Sequence, residues 1–336
     1  MFKQLSIYTV SAGWPASLTE LEDALGAMPF VPGTASQEKA MGWLSPRGQE
    51  HGLLAESVGG QWVLRFMVET RQVPSSVIQR RVDEACAAIE ATSGRKPGKK
   101  EKRDLKEETK AALLPQAFPR QQSTWVWLDP TRHRLLLDTS AQARADDIIT
   151  ALVKVLDGFL AEPLQTATSP AVAMGRWLTE QETPAGLTIG QECELKAADE
   201  SQAVVRYARH PLLNDEVREH IAQGKQPTRL ALHWDDRVQF VLTDALQLKK
   251  LAFEDHVLEQ AKAQDQRADD FDGSVLMATT ELTTLIDDVI DALDGLPENG
   301  LPKAATAPAR NPSVTTGTAH RMPAASNSTG SDDPPF

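Results

Sequence analysis

Two cysteines, Cys86 and Cys193, are too few and too far apart in 336 residues for a disulfide framework or a cysteine-rich zinc site. Both read as ordinary thiols, Cys86 as a small buried side chain in the helical stretch 82–89. No run approaches the ~20 uninterrupted apolar residues of a membrane helix, and residues 1–6 lack the apolar region of a secretory signal, so the expected location is the cytoplasm. None of the seven histidines (His51, His133, His210, His220, His233, His256 and His320) stands i,i+4 from another ligand on a helix face, which leaves a metal centre without sequence support. The phosphate loop G-x-x-x-x-G-K-[ST], the dinucleotide fingerprint G-x-G-x-x-G after a strand and the nucleophile turn G-x-S-x-G are all missing. ATP hydrolysis, dinucleotide chemistry and serine hydrolysis lose their usual signatures, and no cofactor is expected. The acidic pairs Asp146-Asp147, Asp235-Asp236, Asp269-Asp270 and Asp287-Asp288 could hold Mg²⁺ as in a nuclease, but neighbouring acids in turns or on exposed helix faces are read as solvated surface charge.

What is present is a local reversal of charge. The chain carries a net charge of -12, yet Arg95, Lys96, Lys99, Lys100, Lys102, Arg103, Lys106 and Lys110 are eight cations against the four anions Glu101, Asp104, Glu107 and Glu108, a local balance of +4. Clustered Lys and Arg release counterions from phosphates whatever the charge elsewhere, so nucleic acid, if it binds, is expected here. Taken alone, the run has a second reading: a solvated helix whose cations and acids pair with one another.

An apolar content of 41% is ample for buried cores, and the length allows two or three domains. Strand patterns at 5–10, 39–44, 52–57 and 61–73, with a helix after the N-cap candidate Ser17, read as α+β. Val58-Gly59-Gly60 reads as a hairpin turn, and the long strand after it as partly buried on both faces. Helical patterns at 75–91 and about 100–114, parted by the breaker Gly94-Arg95-Lys96-Pro97-Gly98, form a projecting helical hairpin. Strands resume at 123–128 and 134–137, followed by a helix over about 141–160. The second half adds strands at 187–197, 203–207, 228–234 and 238–242, a helix after Asn214, a hairpin at Asp235-Asp236-Arg237 and an amphipathic helix over 279–293. The expected organisation is multi-domain with mixed sheets: a central α/β domain of residues 1–74 and 121–165, the hairpin of 75–120, a second α/β domain of 166–295, and a tail of 296–336. Seven prolines and a single aromatic among the last forty-one residues predict a disordered tail.

Four motifs carry a resemblance. At Lys39-Ala40-Met41-Gly42-Trp43-Leu44-Ser45-Pro46, Leu113-Leu114-Pro115-Gln116-Ala117-Phe118, Leu230-Ala231-Leu232-His233-Trp234 with Arg237-Val238-Gln239-Phe240-Val241, and Leu276-Met277-Ala278-Thr279-Thr280-Glu281-Leu282, the chain resembles RdgC, the recombination-associated protein family of proteobacteria, over roughly residues 2 to 295. The resemblance implies a non-enzymatic nucleoid protein that closes as a ring-shaped homodimer around double-stranded DNA, binds it with little sequence preference, possesses some capacity for single strands, and restrains RecA-driven recombination. It places Phe118 at the contact between subunits and Arg209-His210 against DNA. Gln116 departs from the family, whose members carry Arg there, and Arg120 is near enough to substitute. The DNA-binding candidates are therefore Arg95, Lys96, Lys99, Lys100, Lys102, Arg103, Arg120, Arg209 and His210.

The last residues, Gly330-Ser331-Asp332-Asp333-Pro334-Pro335-Phe336, are similar to the acidic tip of bacterial single-stranded DNA-binding proteins. Phe336 would fill an apolar pocket while Asp332 and Asp333 draw in a basic rim, which makes readers of such tips candidate partners and a tail-mediated scaffold an alternative function. A metal-dependent nuclease is the competing enzymatic reading.

Overall fold

The structure is a computed structural model and describes residues 1–264 and 270–297. The chain runs β1 (Leu5–Ala12), α1 (Leu18–Leu25), β2 (Lys39–Leu44), β3 (Ala55–Val58), β4 (Gln61–Arg71), α2 (Ser75–Ser93), α3 (Lys99–Leu113), a 3-10 turn (Leu114–Gln116), β5 (Pro119–Asp129), β6 (Arg134–Leu137), α4 (Gln142–Val155) and β7 (Leu160–Pro163). It continues through α5 (Pro170–Glu180), β8 (Leu187–Ala197), β9 (Val204–Tyr207), α6 (Asp215–Ala222), β10 (Lys225–Trp234), β11 (Val238–Thr243), β12 (Gln247–Phe253), α7 (Asp255–Gln264) and α8 (Asp270–Ala292). The fold is mixed α+β. No helix among the described residues is long and apolar enough to cross a membrane.

Local chemistry sets several boundaries. Ser17 accepts from the Glu20 amide at 3.1 Å and Asn214 from the Val217 amide at 2.9 Å, each capping the helix that follows. Gly59 and Gly60, at φ +57° and +80°, join β3 to β4 where Val58 pairs with Gln61, a tight turn that requires left-handed backbone at both central positions. A Cβ on Gly59 would also lie 2.5 Å from Leu276 Cδ1. Asp235 and Asp236 take positive φ in the β10–β11 turn, where the Arg237 amide donates to the Trp234 carbonyl at 2.8 Å.

The strands expected in separate sheets lie in one, ordered β2-β4-β5-β6-β1-β12-β11-β10-β8-β9, with β3 on β4 and β7 on β1. Every ladder between these strands is antiparallel. The two halves of the sheet meet at β1 and β12 through Leu5↔Leu248 and Ser6↔Gln247. That junction unites residues far apart in sequence, so no local pattern could announce it. Two further differences arise from pairing with strands distant in sequence. β5 begins at Pro119, four residues before the expected strand, because β4 offers it an unbroken partner from Trp62↔Leu128 to Arg71↔Pro119. The expected helix over about 141–160 stops at Val155, and Leu160–Pro163 turns back to pair with β1.

β4 is partly buried on both faces, as its imperfect alternation predicts, and so is β5 from Thr124 onward. Leu64, Phe66, Val126 and Leu128 pack under α1 and α4, while Val63 meets Val275 and Trp127 enters the core beneath α5 and α8. The tie to α8 is partly polar. Asp287 accepts from Arg134 at 2.7 Å and from Arg132, Asp288 accepts from the Trp234 indole N–H at 2.7 Å, and Glu281 pairs with Arg237. Reading Asp287-Asp288 as solvated surface charge is therefore wrong: a helix in register with Arg134 of β6, Arg132 of the turn before it and an indole uses both acids as clasps.

Asp138 shows the cost of burying an acid. Its carboxylate accepts the Lys3 and Gln4 amides at 3.0 and 3.1 Å, but burial outweighs those bonds and lifts its pKa above the ordinary value. Ionisation is then harder in the fold than in the unfolded chain. The penalty is absent below the unfolded pKa and complete once pH exceeds the raised folded value. Asp138→Asn keeps an oxygen for both amides and removes the charge. Thermal unfolding followed from pH 3 to pH 7 should show the variant gaining on the wild type as pH rises; a constant difference would refute this account.

Candidate nucleic-acid interface

Residues 75–118 build the basic region from two helices in contact and the turn after them. α2 ends at Gly94, whose φ of +69° closes the helix while its amide donates to the Glu90 carbonyl at 2.9 Å. Ile78 and Val82 are its buried residues, and α3 has none. Pro97, by contrast, is buried in the link between them.

The alternative, a solvated helix whose charges pair with one another, describes half of the eight cations. Within α3 the ion pair is Arg103–Glu107, at 4.0 Å with both side chains more than two-thirds exposed, a contact of little energy. Arg95 binds Glu101 at 2.8 Å, which raises the guanidinium pKa and holds Glu101 below the ordinary carboxylate range, and Lys96 stands 3.8 Å from Glu90. Lys110 reaches Glu38 at 2.6 Å. Lys99, Lys100, Lys102 and Lys106 are exposed and have no carboxylate within ion-pairing distance among the described residues. At about 100° per residue, Lys99, Lys102, Arg103, Lys106 and Lys110 fall within roughly 100° of one another around α3. Glu101, Asp104 and Glu108 lie on another side. The charge is a stripe, and its start is placed against the helix's own preference: Lys99 and Lys100 are the first two residues of α3, where the backbone dipole favours anions.

Phe118 follows the 3-10 turn and is 93% exposed. Arg120, two residues on, lies on β5 opposite Thr70, exposed and with no acidic partner in ion-pairing distance among the described residues. Gln116, which replaces the family's Arg, is exposed too.

Arg209 and His210 sit elsewhere. They follow β9, Arg209 at φ +54°, and the His210 amide donates to the Gln191 carbonyl at 3.2 Å. The His210 ring lies 5.4 Å from that of Tyr207, with Nδ1 2.7 Å from the Pro211 carbonyl oxygen. Seven strand spacings separate β5 from β9 in the sheet order, roughly 34 Å at about 4.8 Å each. The structure therefore gathers Arg95 to Lys110, Phe118 and Arg120 in one region and leaves Arg209-His210 in another. Asp332, Asp333 and Phe336 lie outside the described residues.

Comparison with known proteins decides the family. A family model described as "Putative exonuclease, RdgC" matches residues 1–296. The chain belongs to the RdgC family. It is similar to the recombination-associated protein RdgC of Dechloromonas aromatica (strain RCB), 40% identical over 298 residues that span 88% of this chain and 97% of that protein. It is also similar to RdgC of Cupriavidus necator, 41% identical over 295 residues covering 88% and 98% of the two chains, and to RdgC of Bordetella pertussis, 39% identical with the same coverage. The four motifs were enough to find this RdgC family membership from sequence. The relatives are named for recombination and the family model for an exonuclease.

Sequence reasoning missed a second set of cations near Arg209. Arg206 on β9, Arg229 on β10, and Lys249 and Lys250 on β12 line one cavity, together with Glu192 and Glu194 of β8. Only the adjacent Lys249-Lys250 is visible as a pair in sequence, and a lysine pair in a strand carries no signal by itself. Cys193, at the same place, is buried, and burial pushes its thiol up to about 12; Cys86, expected to be buried, is only half-buried on α2.

Proposed function

We propose that this RdgC-family protein is a non-enzymatic, nucleoid-associated DNA-binding protein that closes as a homodimer around duplex DNA and restrains RecA-dependent recombination. One observation carries the DNA part of this reading: four exposed lysines of α3 with no ion-pair partner among the described residues, within a run of eight cations, in a chain of net charge -12. Cations held apart from acids, two of them at the wrong end of a helix dipole, cost stability unless a polyanion repays it. The relatives' names, which associate them with recombination, supply the biological setting.

In this reading α2 and α3 form a hairpin at the gate of the ring, Phe118 anchors it on the second subunit, and Arg120 and Arg209-His210 contact phosphates from different places on the inner rim. The separation of β5 from β9 by seven strand spacings in the sheet suits a binding surface with more than one patch of cations. Phosphate contacts of this kind fix position without reading bases, hence the lack of sequence preference and a lesser affinity for single strands.

Duplex affinity measured by fluorescence anisotropy should fall steeply with salt, with a log-log slope of several units. A flat dependence would remove the reading. The family model's exonuclease description favours the competing activity, although among the described residues no three of His, Cys, Asp and Glu are grouped as they would be around a metal ion. Incubation with end-labelled linear duplex and plasmid in Mg²⁺ or Mn²⁺ tests it directly: the DNA is expected to remain intact, and shortened ends or nicks would establish a nuclease.

A further inference from the structure

The half of the sheet from β8 to β12 presents a different chemistry on each face. Leu230, Leu242 and Leu248 stand across from one another and enter the core. On the adjacent rungs Arg206 pairs with Glu194, Glu194 with Arg229, and Val241 with Lys249, so alternation sends these side chains to the opposite face. There they line an open cavity of about 300 Å³ with Lys250 and Glu192. Four cations meet two carboxylates, an excess of two positive charges in an acidic chain.

Those charges satisfy one another only in part, because two carboxylates serve four cations. Glu194 accepts from Arg206 at 2.6 Å and from Thr228 Oγ1 at 2.8 Å, and Arg229 comes no closer to it than 3.9 Å. Glu192 is taken by Lys250. Lys249 is half-buried, with no carboxylate in ion-pairing distance among the described residues, and burial, then the neighbouring Arg229, pushes its pKa down. A partly buried cation near a second cation is stabilised by an anion that reaches both. Because the Cys193 thiol stays protonated, it adds no competing negative charge.

We propose that this cavity is a phosphate-binding site, in which one phosphate bridges Arg229 and Lys249 while Arg206 and Lys250 hold the rim. A phosphate carries one to two negative charges and offers oxygens to the guanidinium fork, which matches the excess charge and the donor set. The cavity volume is at the lower end of the roughly 300–1,000 Å³ typical of small-ligand sites. Ala208 also lines it and Arg209 is the next residue, so a DNA backbone phosphate bound here would extend the Arg209-His210 contact; that source rests on the proposed DNA binding, whereas a free nucleotide does not.

The test compares wild type with Lys249→Met and Arg229→Gln. Lys249→Met keeps the stem and removes a partly desolvated charge, so it should fold at least as well, as thermal unfolding will report. Duplex affinity by anisotropy should weaken about tenfold in either variant, with the salt slope lowered by about 1. Calorimetric titration with dAMP forms the second arm. Weakened duplex binding assigns the phosphate to the DNA backbone, and loss of dAMP binding alone assigns it to a free nucleotide; both support the site. If both variants bind duplex and dAMP as the wild type does, the assignment is overturned. Lys99→Gln/Lys102→Gln keeps the two readings apart: weaker duplex binding there, with the cavity variants unchanged in both arms, leaves DNA binding standing and removes the cavity alone. A wild type that binds dAMP but no duplex, with dAMP binding lost in the cavity variants, removes DNA binding and keeps the cavity.

Discussion

Replacing Lys99 and Lys100 by glutamate is expected to stabilise the protein while weakening its hold on DNA. Both lysines occupy the first turn of α3, where the backbone amides point outward and the dipole favours negative charge. Each reversal trades an unfavourable charge for a favourable one, at about 0.3–1 kcal/mol per charge for exposed positions. The carboxylate introduced at position 99 would stand four residues before Arg103, a spacing that adds about 0.2–0.5 kcal/mol, while the one at position 100 would stand four before Asp104 and lose a similar amount, so the dipole decides the net gain. Against duplex DNA the same change removes two phosphate contacts and adds two repelling charges. The salt slope should drop by about 1.8 and affinity at low salt by about a hundredfold or more. Calorimetric unfolding and anisotropy on the same preparations read both quantities. An ordinary surface helix would gain stability with no change in DNA affinity, and that combination would end the assignment of α3 to the interface.

Phe118→Glu is expected to separate the subunits without harming either one. A ring 93% exposed contributes little to its own chain's core, so monomer unfolding should be nearly unchanged. If the ring fills a pocket on a second subunit, losing it should cost about 2 kcal/mol or more of association, roughly thirtyfold in the dimer dissociation constant. Light scattering coupled to size exclusion would then show monomer where the wild type shows dimer. Phe118→Trp should keep the dimer, because a large aromatic remains available. Closed-circle plasmid binding should fall with dimerisation if closure around the duplex is required. A dimer that survives Phe118→Glu would move the interface elsewhere and leave the exposed ring unexplained.

The sites differed in how readily they could be read. The stripe on α3 was legible because its cations are neighbours in sequence; the separation of its charges was not, since that depends on rotamers and on the turn of the helix. Arg120 was identified as a candidate, but its strand began earlier than local pattern indicated because β4 supplied a long partner. Asp287 and Asp288 looked like surface acids for the same kind of reason: their partners Arg132, Arg134 and Trp234 are more than fifty residues away.

Sequence by itself determined the mixed α+β class, the tight Gly59-Gly60 turn, the capped helices, the basic run and membership of the RdgC family. All of these rest on interactions or patterns within short stretches of chain, where spacing, capping chemistry and charge act directly. Only the tertiary structure decided that the strands form one sheet joined at Leu5 and Leu248, and that Arg206, Arg229 and Lys249 share a face. Strand register sets which distant residues become neighbours, and it arises from the packing of whole elements, a physical cause no single segment contains.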